Sequence, residues 1–99
     1  MHIIIWEFLV KAGSEKKFEA LYKNDGEWAQ FFRGSEDYIS TELYRELGNA
    51  DWYTTIDKWK SQDAYESFIE SHKKEYQEID KRGKKLTEHE AVVGKYESV

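Results

Sequence analysis

The sequence predicts an α+β fold with the element order β-α-β-β-α-β, its strands forming one antiparallel sheet that carries the helices on a single face. Three observations predict it. Residues 2–10, HIIIWEFLV, run almost without a polar break, too continuous for a strand with one wet face. Residues 38–47, YISTELYREL, alternate with period 2, and turn-type residues separate them from a second strand-like run at 52–59, WYTTIDKW. Residues 62–82 place Tyr65, Phe68, Ile69, His72, Tyr76 and Ile79 at three- and four-residue steps, the spacing of one helical stripe.

The elements follow in order. The first strand covers residues 2–11 and ends at Ala12-Gly13. Ser14 is a suitable helix N-cap, and Phe18, Leu21 and Tyr22 lie on one helical face behind it. Asn24-Asp25-Gly26 interrupts that helix, and a second short piece has Trp28, Phe31 and Phe32 as its apolar side. Gly34-Ser35-Glu36-Asp37 reads as a loop, and Gly48-Asn49-Ala50-Asp51 as the turn of an antiparallel hairpin. Proline is absent, so turns rely on Gly, Asn, Asp and Ser. Ser61 caps the long helix over 62–82, whose wet face offers the i,i+4 pairs Glu70/Lys74 and Glu78/Arg82. A last strand covers 88–97.

That order is the ferredoxin-like split βαβ arrangement. Right-handed crossovers put both helical segments on one side of the sheet, with the first and third strands in the middle. On the first strand Ile3, Ile5 and Leu9 then point one way, and Ile4, Trp6, Phe8 and Val10 the other. Whichever set meets the helices, the other is a bare apolar surface. Monomers rarely leave such a patch wet. The expected cover is a second copy of the chain, sheet against sheet about a two-fold axis, giving a homodimeric α/β barrel.

Composition narrows the function. Ninety-nine residues with 39 % hydrophobic and 35 % charged side chains fit one globular domain over 1–99. The formal net charge of −5 disfavours nucleic acid as a partner. Lys81-Arg82-Gly83-Lys84-Lys85 is the local exception, and cations at a helix C-terminus complement its dipole. Without cysteine there is no disulfide, thiolate metal site or Cys nucleophile. No apolar run approaches the ~20 residues that span a bilayer, and no signal-peptide pattern opens the sequence, so no membrane partner is expected and the cytoplasm is the expected compartment. His2, His72 and His89 lie on different elements without ligand spacing, so no metal site is expected. There is no GxSxG elbow, Walker sequence or GxGxxG. Aromatics reach 16 %, a density that suits cores, interfaces and pockets for flat ligands.

The stretch TIDKWKSQDAYESF, residues 55–68, resembles the strand-to-helix junction of the antibiotic biosynthesis monooxygenase family. WEFLVKAGSEKKFEALY, GEWAQFFRGSEDYISTEL and LTEHEAVVGKYE resemble its opening strand and helix, its tryptophan-bearing second helix and its closing strand. The resemblance implies a dimeric α+β barrel. It also implies oxygenase chemistry with no metal and no organic cofactor, in which a flat phenol or anthrone is deprotonated and its carbanion reacts with dioxygen. The protein then has to bind a flat substrate, remove a proton and exclude water. Two alternatives share the architecture. One is a non-catalytic ligand-binding or stress-associated protein. The other binds or degrades haem, but that branch carries an asparagine on its first strand and residues 2–10 have none.

Candidate catalytic residues are His72, Trp59 and Arg33. His72 sits on the apolar stripe of the long helix, where an imidazole can take a proton from a phenol or ligate haem iron; equally, it can be a satisfied half-buried side chain. Trp59 matches a tryptophan that walls the pocket in several family members, and is otherwise a core residue. Arg33 can stabilise a phenolate, or pair with Glu36 or Asp37 at the surface. Trp28, Phe32, Tyr65, Phe68 and Tyr76 are candidate substrate-binding residues, with Phe31 beside them, for a small aromatic ligand. Asp57 is an unusual mid-strand carboxylate that can pair with Lys58, meet a cation across the dimer or accept a proton.

Overall fold

A computed structural model describes residues 1–99. The strands β1 (His2–Val10), β2 (Tyr38–Arg45), β3 (Trp52–Trp59) and β4 (Thr87–Glu97) form one antiparallel sheet in the order β2-β3-β1-β4. The helices are α1 (Glu15–Tyr22), α2 (Glu27–Phe32), α3 (Gln62–Ser71) and α4 (Lys73–Lys84). The first and third strands are central, as the split βαβ order requires.

Alternation along β1 sorts its side chains. His2, Ile4, Phe8 and Val10 are buried towards the helices, with Trp6 half-buried among them. Cross-strand partners share a face. His2 opposite Trp59, Ile4 opposite Asp57, Trp6 opposite Thr55 and Phe8 opposite Tyr53 therefore all lie under the helices. The core built on this floor is largely aromatic: Phe18 stacks on Tyr22 with centroids 4.3 Å apart, and Phe8 meets both rings. α4 comes close enough that a Cβ at Gly83 would lie 2.5 Å from the Tyr22 hydroxyl, so any larger residue there would have to push the Tyr22 ring aside.

The opposite face carries Ile3, Ile5 and Leu9 from β1, and Trp52 and Ile56 from β3, all half-buried in the single chain. Tyr96, opposite Ile3 on β4, is 48 % exposed. This is the uncovered apolar sheet face expected from the sequence. The hairpin tip extends beyond it, with Leu47 96 % exposed.

The expected continuous helix over 62–82 is instead two helices. Its backbone leaves helical dihedrals at His72, with φ −126° and ψ 34°. Ser61 caps α3 as expected, its hydroxyl accepting from the Ala64 N–H at 3.1 Å, whereas Ser14 makes no side-chain cap bond on α1. The i,i+4 pairs do not form as the spacing suggested. Glu70 meets Lys73 at 4.0 Å, one residue nearer than Lys74. Arg82 reaches past Glu78 to Glu27 on α2, donating from Nη1 to Oε2 at 2.8 Å, so this basic residue ties two helices together. No helix is long and apolar enough to cross a membrane.

Candidate active site

Between the sheet and the helices lies a half-open cavity of about 40 Å³. Its floor is Trp6 and Phe8 from β1 with Thr55 and Asp57 from β3. Tyr22, Trp28, Phe32, Tyr65 and Tyr76 wall it from the helices, and Asp80 on α4 and Glu90 on β4 stand at one side. Strand alternation supplies the floor: Tyr53, Thr55, Asp57 and Trp59 share the helix-facing side of β3.

Asp57 is the exceptional residue. Its Oδ1 accepts from the Thr41 hydroxyl at 2.7 Å, and Thr41 in turn accepts from the Tyr38 hydroxyl at 2.7 Å. Each hydroxyl has one proton, so the relay runs in one direction and fixes the carboxyl. Oδ2 has no protein partner. No lysine, arginine or histidine pairs with Asp57; the neighbouring Lys58 points to the opposite face and binds Glu42 at 2.9 Å. Burial without a counter-charge raises the Asp57 pKa to about 6, against the smaller opposing effect of the Thr41 hydrogen bond.

The tyrosines around it behave consistently. Burial raises the pKa of Tyr22, Tyr65 and Tyr76, so all three are neutral phenols at neutral pH, able to donate a hydrogen bond to a developing oxyanion. Glu90 is also raised, by burial first and then by repulsion from Asp80, with Lys84 opposing. Two buried polar atoms in the walls lack partners, the Trp28 indole Nε1 and Glu90 Oε2. No group of three His, Cys, Asp or Glu side chains is arranged to hold a metal ion.

The structure brings together Trp28, Phe32, Tyr65 and Tyr76 from the candidate list. The other four lie elsewhere. His72 sits at the break between α3 and α4, stacked on Phe68 with centroids 4.2 Å apart. Its Nδ1 lies 2.9 Å from the Phe68 carbonyl, which can only accept, so Nδ1 carries the proton. The helical spacing that aligned it with Tyr76 fails at this junction. Trp59 is completely buried behind the cavity, packed on Phe32, Tyr38, Tyr65 and Phe68. Phe68 lies in the same layer, against Phe31 and Phe32. Arg33, one residue beyond Phe32, turns to the surface and donates to the Asn24 carbonyl at 3.4 Å rather than pairing with Glu36 or Asp37.

Trp6, Phe8, Tyr22, Thr55, Asp80 and Glu90 line the cavity without having been singled out as site residues. For the strand residues a signal existed: Asp57 shares its alternation face with Thr55 and Trp59, so a carboxylate had to stand among aromatics. Glu90 had none, because β4 shifts register against β1 between Ile5 and Trp6, and that irregularity sets which β4 residues face the helices.

Among solved structures, the oxygenase SnoaB from Streptomyces nogalater, described as cofactor-independent, superposes with a TM-score of 0.81 at 18 % identity, over 99 % of this chain and 92 % of that one. A conserved protein from Methanosarcina mazei superposes with a TM-score of 0.75 at 18 % identity, covering 99 % of this chain and 92 % of its own. An antibiotic biosynthesis monooxygenase does so with 0.76 at 14 % identity, covering 100 % and 99 %. At these identities the likeness is one of fold. No curated protein sequence matches the chain significantly. The family model described as antibiotic biosynthesis monooxygenase matches residues 1–81, which include β1 through β3, α3 and the part of α4 that bears Tyr76 and Asp80. On that match, together with the shared fold, the chain belongs to the antibiotic biosynthesis monooxygenase family.

Proposed function

We propose that this protein is a cofactor-independent monooxygenase that oxidises a flat, ionisable aromatic molecule, with Asp57 as the general base. The single observation that carries the proposal is a half-buried carboxylate held by the Thr41 hydroxyl, with no cationic partner, in an aromatic cavity; desolvation there raises its pKa to about 6. A base is most effective when its pKa lies near the working pH. Asp57 Oδ2 takes the proton of a phenol or of an acidic ring C–H. Tyr65 or Tyr76 donates to the resulting oxyanion. The carbanionic carbon joins one atom of dioxygen, and the peroxide then loses water, leaving a quinone-type carbonyl. One oxygen enters the product and the other leaves as water. The substrate supplies the electrons, so no further reductant enters the balance.

At about 40 Å³ the cavity in this state holds only a few waters. A ring therefore enters by displacing half-buried lining residues, Trp6 of the floor or Tyr76 of the wall. The expected result is dioxygen uptake with a model anthrone or an electron-rich phenol, stoichiometric with carbonyl product. Binding of several such molecules with no uptake across a broad panel would instead mark a ligand-binding protein of the same fold.

The working unit in this proposal is a homodimer through the uncovered sheet face, as the family resemblance implies. Ile5 and Ile56 are direct cross-strand partners at its centre. Each large apolar side chain buried there stabilises by about 1.5–3 kcal/mol. Equilibrium sedimentation at micromolar concentration is expected to give twice the chain mass, and Ile5→Glu a folded monomer. A wild-type protein that sediments as one chain rejects the dimer.

A further inference from the structure

We infer that the cavity selects aromatic molecules carrying a cationic amine and rejects those carrying a carboxylate, with Glu90 as the residue that receives the amine. This rests on the cavity proposed above as the substrate site, and it narrows the substrate class. The polar lining is one-sided: Asp57, Asp80 and Glu90 are its ionisable acids, and no Lys, Arg or His is among the lining residues. Of the three acids, only Asp80 forms an ion pair, with Lys84 at 3.1 Å, whose side chain is mostly exposed. Glu90 forms no ion pair, Lys84 acting on it only from beyond contact, and its Oε2 is buried with no hydrogen-bond partner. A buried acceptor left unpaired is unfavourable, and a donor that reaches it recovers that loss.

Trp28 is only 6 % exposed, and what it offers a cation is its ring face, because its indole N–H is a donor and cannot receive an ammonium. Its ring, with Trp6 and Phe8, lines the same space. Aromatic faces attract a desolvated cation through their quadrupole, so the walls and the acids favour the same sign of charge. A carboxylate would stand against three acids with no counter-charge in the lining. An ammonium on a short arm finds Glu90 and Asp80, leaves the ring between aromatic walls and leaves Asp57 free for the phenolic proton.

Three phenols of matched size separate charge from shape: tyramine, 4-ethylphenol and 4-hydroxyphenylacetate, titrated against intrinsic tryptophan fluorescence at pH 7.5. Tyramine is expected to bind about tenfold tighter than 4-ethylphenol, with 4-hydroxyphenylacetate weakest. Glu90→Gln keeps the shape and removes the charge. It is expected to lower tyramine affinity about tenfold and to leave 4-ethylphenol within about twofold. The wild-type ligand series stands on its own if that variant folds poorly. Equal affinity for the amine and the carboxylate, no binding of tyramine, or a Glu90→Gln loss shared equally by 4-ethylphenol overturns the inference. Selective tyramine binding without dioxygen uptake on any amine-bearing phenol leaves it standing and removes the oxygenase proposal instead.

Discussion

Replacing Asp57 by Asn is expected to lower turnover by about 10²–10⁴-fold, the usual contribution of a positioned general base, while aromatic binding followed by fluorescence changes little. Asparagine keeps an acceptor for the Thr41 hydroxyl, so the wall is preserved and only the proton-accepting charge is lost. Wild-type kcat/KM should rise through about pH 6 as the carboxyl ionises, and the variant should lack that limb.

Stability moves the other way. The folded-state pKa of Asp57 is raised from 3.8 to about 6, so between these values the native state holds more proton than the unfolded chain. Stability from this group is therefore fully present below pH 3.8 and falls as pH rises to about 6, above which the penalty of the ionised carboxyl is complete. The full shift corresponds to on the order of 2–3 kcal/mol. Denaturant midpoints of Asp57→Asn and wild type should coincide in acid, diverge in favour of the variant as pH rises from 3.8 to about 6, and stay a constant distance apart above that. Glu90 is raised for a similar reason and contributes a slope of the same sign in both proteins. Unchanged turnover in a folded Asp57→Asn would remove the proposed base. Curves that stay parallel at every pH would remove its burial.

Trp59→Ala is expected to destabilise by about 3–5 kcal/mol, a large part of the 5–15 kcal/mol typical of a domain. The side chain is fully buried and meets four aromatic rings, so truncation leaves a cavity that rigid neighbours cannot fill. The melting temperature should fall by about 15 °C or more. Trp59→Phe should cost less, because it also removes an indole N–H that is buried without a partner. If Trp59→Ala instead kept its melting temperature and lost turnover, Trp59 would belong to the chemistry rather than to the packing behind it. His72→Ala, outside the cavity, should leave turnover within about twofold and loosen the α3–α4 junction.

Elements were legible where a residue's neighbours along the chain determine its environment. The β1 run, the hairpin over Tyr38–Trp59 and the Ser61 cap all report short-range periodicity and turn chemistry, which belong to the sequence itself. The uncovered face was readable for a related reason: topology allows helices on one side only, while β1 is apolar on both. The break at His72 was not. It contains neither Gly nor Pro, and the stripe of apolar residues runs through it without a change of period. The pairing of Arg82 with Glu27 rather than Glu78 was equally hidden, because it depends on where α2 comes to rest.

The sequence by itself determined the order and type of the elements, the α+β class, the aromatic character of the layer between sheet and helices, and the absence of thiol chemistry. Tertiary structure alone decided which ionisable groups share one enclosed space. It left His72 at a helix junction and Arg33 at the surface, and it assembled Asp57 with Glu90 from strands that are far apart in the chain. The physical reason is that a pKa and a partner depend on distance and burial in three dimensions. Periodicity specifies which way a side chain points, but not what it meets.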